Sequence, residues 1–200
     1  LVEFDKAGKL IDKYQINFWV NCNKRITKVY NDIRMISKNS KLKNISIIGN
    51  DWGLACNLIH YLDYFCWINN SRYLKFYKNS LINKIYNSKR NNYIEFYGSL
   101  KFTINNSLLD VICKLSKDKK IIIKHEFDNK IIYLDEILQE LKIFDKKTKK
   151  TTLKKFINNK VSISTKYFFL NLYKSKKINL SDFNESAIYH KIMLKEVFFF

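Results

Sequence analysis

The sequence predicts an α+β domain, and three observations predict it. Apolar residues recur at helical spacing near both ends of the chain. Through the middle they alternate with polar residues at a period of two, and turn residues rich in Asn, Asp and Ser separate the segments. A mainly antiparallel sheet packed against helices accommodates that order. Two hundred residues suffice for a domain of this kind with a sizeable core.

Residues 2–14 have helical spacing with no capping residue ahead of them. Ile16-Asn17-Phe18-Trp19-Val20-Asn21 is short, aromatic and β-branched, and predicts a buried strand. Ile26, Val29, Ile33 and Ile36 stand in phase for a helix over 24–37, and 42–48 reads as a second strand. A helix running on from Trp52 follows. From Tyr93 the period changes: Ile94, Phe96, Leu100, Phe102 and Ile104 alternate with Glu95, Tyr97, Lys101 and Thr103. With turns at Asn105-Asn106, Ser116-Lys117-Asp118 and Asp128-Asn129, the segments 94–104, 108–115, 120–127 and 130–134 predict a meander of about four antiparallel strands. Residues 145–160, rich in Lys, Thr and Asn, read as a solvated loop. Ser164 stands as a cap for a helix over 165–174, and Asp182 with Glu185 makes a capping-box-like start for 183–197. There is no internal repeat and no linker long enough to separate independent domains.

The formal charge of +19 would ordinarily direct attention to nucleic acid or an anionic membrane. Here the excess is almost wholly Lys, with Arg only at 25, 34, 72 and 90, alongside abundant Asn and Ile, four Gly and no Pro. An AT-rich coding sequence produces that profile, so charge is a weak guide to function. A dedicated phosphate or guanine reader would enrich Arg for its planar fork. Cys22, Cys56, Cys66 and Cys113 form no C-x-x-C pair, and His60, His125 and His190 lie far apart, which excludes a zinc ribbon or finger. No signal sequence opens the chain, and the cysteines read as reduced, in a cytoplasmic protein. The longest apolar-rich segment, 52–68, contains Asn57, His60 and Asp63 and reads as no membrane span.

Within the segment 47–63, two of the four glycines stand close to a His-x-x-Asp pair at helical spacing. Cys56, His60, Asp63 and Trp67 would share one stripe of a helix, leaving Leu54, Leu58 and Leu62 to pack on another. Unaided, a histidine on an apolar helix reads first as a packed residue, and Cys56, Cys66, Trp52 and Trp67 read first as core.

The order of three elements changes that weighting. Trp19-Val20-Asn21-Cys22-Asn23-Lys24-Arg25 resembles the G-x-N-x-R element that follows a strand in the Gfo/Idh/MocA family of nicotinamide-dependent oxidoreductases. The segment 49–63, ending His60-Tyr61-Leu62-Asp63, is similar to that family's helix with its H-x-x-D ending. Leu180-Ser181-Asp182-Phe183-Asn184-Glu185-Ser186-Ala187 followed by His190 resembles its closing helix. The resemblance implies a two-domain enzyme acting on a sugar or polyol derivative. A Rossmann domain holds NAD or NADP, and an α+β domain with an open sheet binds substrate and supports oligomerisation. Residues 1–21 would be the last helix and strand of the first domain, and 22–200 the second. No G-x-G-x-x-G follows a strand, and nothing matches the family's E-K-P element, which is expected upstream of Leu1. These 200 residues are therefore expected to bind no nucleotide.

Oxidising a secondary alcohol requires a group that takes the hydroxyl proton, and a histidine suits that task near neutral pH. His60 stands where the family places it. Asp63, one turn on, would orient the imidazole, and Cys56 stands where many members carry an aspartate. Asn23, Arg25, Asn50, Trp52 and Asn57 are the expected substrate contacts, amides for sugar hydroxyls and an indole for a ring face. Two other readings fit the same residues. One is a basic nucleic-acid-binding module stacking bases on aromatic residues of the meander. The other is a non-catalytic domain retained for dimerisation, for which Cys56 speaks.

Overall fold

A computed structural model describes residues 2–88, 90–118, 120–157, 161–175 and 178–197. Eight strands form one sheet in the order β10-β9-β8-β7-β1-β6-β5-β2. At its centre lies β1 (Leu42–Asn50), parallel to β6 (Ser107–Lys114) on one side and antiparallel to β7 (Lys120–Phe127) on the other. The predicted meander is thereby corrected. Strand β5 (Gly98–Ile104) does form a hairpin with β6, and β7 pairs with β8 (Lys130–Asp135), but β6 and β7 are not neighbours. At the end of β1, Asn50 faces Lys114 in β6 on one side and Lys120 in β7 on the other. Both flanking strands keep the alternation read from the sequence, with Leu109, Val111, Ile121 and Ile123 buried between less buried neighbours.

The helix after β1, α3 (Leu54–Ile68), supplies the body of the core. Eleven of its residues are buried, from Leu54 to Ile68, and Leu58, Leu62, Phe65 and Cys66 are wholly enclosed. They join Ile45, Ile47, Val111 and Ile123 of the sheet in one apolar cluster. At about 1.5–3 kcal/mol for each enclosed large apolar side chain, this face fixes α3 on the sheet. Helix α2 (Lys28–Ser37) adds Val29, Tyr30 and Ile33 to the same cluster.

Three expectations fail around the sheet, and one strand escapes the sequence reading. The loop expected at 145–160 contains β10 (Thr151–Lys155), paired with β9 (Glu140–Asp145), because an edge strand with all five residues exposed needs no apolar alternation. The other edge, β2 (Lys75–Leu81), escapes prediction for the same reason. The run 94–104 is broken into β4 (Ile94–Glu95), which pairs with β3 (Tyr86–Asn87), and β5. The break falls at Phe96-Tyr97, just ahead of Gly98, whose φ is +124° and where an added Cβ would stand 2.5 Å from the Ser80 carbonyl oxygen. The strand expected over 16–21 reduces to a bridge between Trp19 and Asp182 and a bond from Val20 N–H to the Ser181 carbonyl, since no second strand edge lies beside it.

Helix α1 (Val2–Lys13) buries none of its residues. It touches α5 (Phe183–Ile192) through Phe4 stacked on Phe183 and an ion pair of Lys191 with Asp5. Helix α4 (Val161–Ser175) starts ahead of the cap expected at Ser164. Asp182 does cap α5, accepting from Glu185 N–H at 2.7 Å, and the helix passes into a π-turn over Met193–Val197. The aromatic residues Phe96, Tyr97, Phe102 and Phe127 of the sheet region are buried, which removes them as platforms for stacking bases. No described helix is long and apolar enough to cross a membrane.

Candidate functional site

A cleft of about 480 Å³ opens where α3, the 3-10 turn Asn23–Ile26 and the turn after β8 meet. Asn21, Asn23, Lys24, Trp52, Asn57, His60, Tyr61, Ile121 and Glu136 line it. Four of the side chains expected to act together, Asn23, Trp52, Asn57 and His60, are thus brought to one place. Trp52 is positioned by the β1–α3 connection, Asn57 and His60 by α3, and Asn23 by the turn before α2. Gly53, at φ +78°, lets the chain turn directly into α3. Asn57 spends both amide donors on that turn, 2.7 Å to the Trp52 carbonyl and 3.1 Å to that of Gly53, so its carbonyl oxygen is what it can offer a ligand. Trp52 donates its indole N–H to the Ile112 carbonyl and packs edge-on to Tyr61, leaving ring surface rather than a donor.

His60 is half-buried in the cleft wall, and its Nδ1 is enclosed without a hydrogen-bond partner. Burial holds its pKa below the ordinary 6.5, the charges of Lys24 and His190 add to that, and Glu136 opposes it. The ring is therefore neutral at physiological pH and able to accept a proton.

At the base of the cleft lies a group the sequence reading missed. Lys24 is buried and bonds Glu136 Oε1 and the Tyr30 hydroxyl, each at 2.9 Å, with its ammonium over the rings of Tyr61 and Tyr30. Glu136 also accepts from the hydroxyls of Tyr30 and Tyr61. Burial raises the Glu136 carboxyl, but the Lys24 charge and the bonds from Tyr30, Lys24 and Tyr61 outweigh it and hold the group below the usual carboxylate range. Lys24 adjoins a motif residue and could have been noticed. Glu136 lies 112 positions away in a turn with no local signal.

Other expected site residues lie elsewhere. Arg25 does not face the cleft: its guanidinium forks onto Asp63 with two 2.8 Å bonds and reaches Glu185 at 2.7 Å, all enclosed between α3 and α5. Burial works against that charge, yet the two carboxylates keep it above its ordinary value. Asp63 does not orient His60. It is fully buried, bonded to Arg25 and to the Ser181 hydroxyl at 2.8 Å, because position 63 falls on the α5 side of α3. Cys56 is neither core nor in the cleft. It is exposed on a separate apolar groove of about 730 Å³, beside Tyr93, Ile94, Phe96, Met193 and Leu194. Asn50 ends β1 without lining the cleft. Cys66 is enclosed and Trp67 buried, as core residues. His125 is enclosed with Nε2 2.9 Å from the Tyr64 hydroxyl, and His190 lies half-buried on α5.

No protein-family model matches the sequence, and no curated protein matches it. Solved structures do match the fold. The dehydrogenase MviM from Clostridium difficile superposes with a TM-score of 0.69 at 18% identity, over 94% of this chain and 64% of its own. UDP-N-acetylglucosamine 3-dehydrogenase GnnA from Acidithiobacillus ferrooxidans gives 0.72 at 11%, over 98% and 65%. A Gfo/Idh/MocA family oxidoreductase from Vibrio cholerae gives 0.63 at 13%, over 94% and 63%. The chain thus has the α+β fold found in oxidoreductases of the Gfo/Idh/MocA type, and it spans less than two thirds of the length of these neighbours. The class of fold expected from the sequence is the one observed.

The end of β1 and the turn into α3, which together hold two of the glycines, do not fit the pyrophosphate of a nicotinamide dinucleotide. Gly49 is packed, with a Cβ position 2.7 Å from the Lys120 carbonyl, and Gly53 only starts α3. The Glu95 carboxylate already accepts from the N–H of Ala55 at the first turn of that helix, where a pyrophosphate would need free donors.

Proposed function

We propose that this chain is the substrate-binding part of an oxidoreductase of the Gfo/Idh/MocA type that oxidises a hydroxyl of a sugar or polyol derivative. In this reading NAD or NADP is held by residues outside the chain, in a Rossmann domain of which residues 1–21 are the last elements. The observation that carries the reading is the cleft, where a neutral histidine stands beside three asparagines, an indole face and a tyrosine. Amides and aromatic faces together suit the alternating polar edges and apolar faces of a sugar ring. The similarity of fold to a UDP-N-acetylglucosamine 3-dehydrogenase supports the same substrate class.

Only the proton half of the reaction is assigned to this chain. His60 accepts the hydroxyl proton, and among the described residues no carboxylate bonds it to steady the imidazolium, since Asp63 is committed to Arg25. The outward residues of the sheet, among them the exposed Ile48 and Tyr133, are proposed to mediate self-association in the complete protein.

Titrating glucose into the purified chain, followed by NMR at the Trp52 and His60 side chains, tests the reading. Shifts confined to the cleft are expected, with no response to NADH. Micromolar NADH affinity, or sugar-induced shifts only outside the cleft, would overturn it.

A further inference from the structure

The cleft carries no net charge on a chain whose formal charge is +19. Its lining contains one cation, Lys24, and one anion, Glu136, in contact with each other. The neighbouring Arg25, best suited to seize a carboxylate, is turned away and held by four bonds to Asp63 and Glu185. Two of the three Lys24 N–H donors are committed, to Glu136 and the Tyr30 hydroxyl, which leaves a single donor for a ligand oxygen. Glu136 in turn is fixed by three donors from three different parts of the fold. An anionic ligand group arriving beside Lys24 would meet the Glu136 carboxylate at the same distance scale and would have to shed its water without gaining an unpaired cation. A neutral hydroxyl can take the remaining donor without that cost.

We propose that Glu136 is a specificity determinant: by neutralising Lys24 at the base of the cleft, it makes the site select an uncharged sugar ring and refuse the corresponding uronate. The inference rests on the cleft being the sugar site proposed above and names the chemical class of its ligand. Lys24 acts as the donor to a ring oxygen, and Glu136 acts through Lys24 as a positioning residue.

Glucose and glucuronate differ only in the oxidation state of C6 and are the probes. Each is titrated into the wild-type chain and into Glu136→Gln, with Trp52 and His60 resonances as the readout. The wild type should bind glucose at least about tenfold more tightly than glucuronate. Glu136→Gln leaves Lys24 without its counter-charge and should gain about tenfold in glucuronate affinity, so that the wild-type preference for glucose over glucuronate is lost. A gain for the anion is a result that mere loosening of the structure does not give. Glucuronate binding the wild type as tightly as glucose overturns the inference and leaves the sugar site standing. A folded Glu136→Gln chain with no gain overturns it too. If that chain does not fold, the wild-type ratio and the doubly neutral Lys24→Met/Glu136→Gln chain decide, the latter being expected to gain no glucuronate affinity and a gain there being fatal. Absence of binding by both sugars to the wild type overturns the sugar site itself.

Discussion

Replacing Arg25 by alanine separates a framework role from a ligand-binding one. Arg25 is 5% exposed, and its guanidinium joins Asp63 on α3 to Glu185 on α5. Alanine leaves the Asp63 carboxylate, 0% exposed, with the Ser181 hydroxyl as its remaining bonded partner named above. Removing one member of a buried ion pair costs about 3–5 kcal/mol, because the other charge stays buried without compensation. Glu185 retains the Tyr189 hydroxyl and 14% side-chain exposure, so the greater part of the loss falls on Asp63. In a domain of this size about 2–4 °C of melting temperature accompanies each kcal/mol, giving an expected fall of about 10 °C. Thermal melts by circular dichroism measure it, and glucose titration well below the melt measures the cleft. Arg25→Lys should recover only part of the loss, since a single ammonium cannot fork across both carboxylates. An unchanged melting temperature together with lost sugar binding would refute this account and return the side chain to the cleft.

Three further outcomes are expected. His125 is enclosed and burial pushes its pKa down to about 3, so the unfolded chain takes up a proton below the ordinary 6.5 that the folded chain refuses. Stability is then complete above that ordinary value and falls with decreasing pH by up to about 1.4 kcal/mol per unit, a slope that His125→Gln should flatten in urea midpoints. Gly53→Ala forces a side chain into a left-handed position, 2.9 Å from the Asn57 amide nitrogen. It should cost more than about 1 kcal/mol in denaturant melts and weaken glucose binding. Iodoacetamide should label Cys56 alone in the folded chain, as peptide mass mapping will show, because burial pushes Cys22 up to about 12 and Cys113 up to about 11 and encloses Cys66.

What could be read from the sequence follows from where each element lies. Strands β5 to β8 bury one face each and α3 buries most of its residues, and burial writes an alternation into the strands and an apolar run into the helix. Strands β2 and β10 close the sheet at its edges, bury almost nothing, and leave no such mark. The segment 16–21 has the composition of a strand, yet pairing needs a free partner edge, and among the described residues it pairs with Asp182 and Ser181 alone. Of the site, the residues clustered in sequence on the β1–α3 connection and the first half of α3 were legible because Trp52, Asn57 and His60 line one cleft there. Glu136 was not, since its role arises from a contact across the fold. Asp63 was misread because helical spacing places it near His60 without deciding which neighbour takes its charge.

The pair Lys24-Arg25 shows where that ambiguity ends. In sequence the two cations are adjacent and chemically alike, and either could have been the one to meet a ligand. They fall in a 3-10 turn, where three residues complete a turn and consecutive side chains point about 120° apart. Lys24 therefore faces the sheet side and meets Glu136, while Arg25 faces the helices and meets Asp63 and Glu185. Each cation finds a carboxylate of the geometry it can use: Arg25 forks onto two anions between α3 and α5, and the compact ammonium of Lys24 sits between aromatic rings and a single carboxylate. Exchanging the two residues would keep composition and charge, yet it would give the fork one buried carboxylate and the ammonium two. The double exchange should therefore destabilise the frame and unbalance the cleft at once, and a swapped chain that melts and binds glucose like the wild type would show that the turn does not divide the two roles.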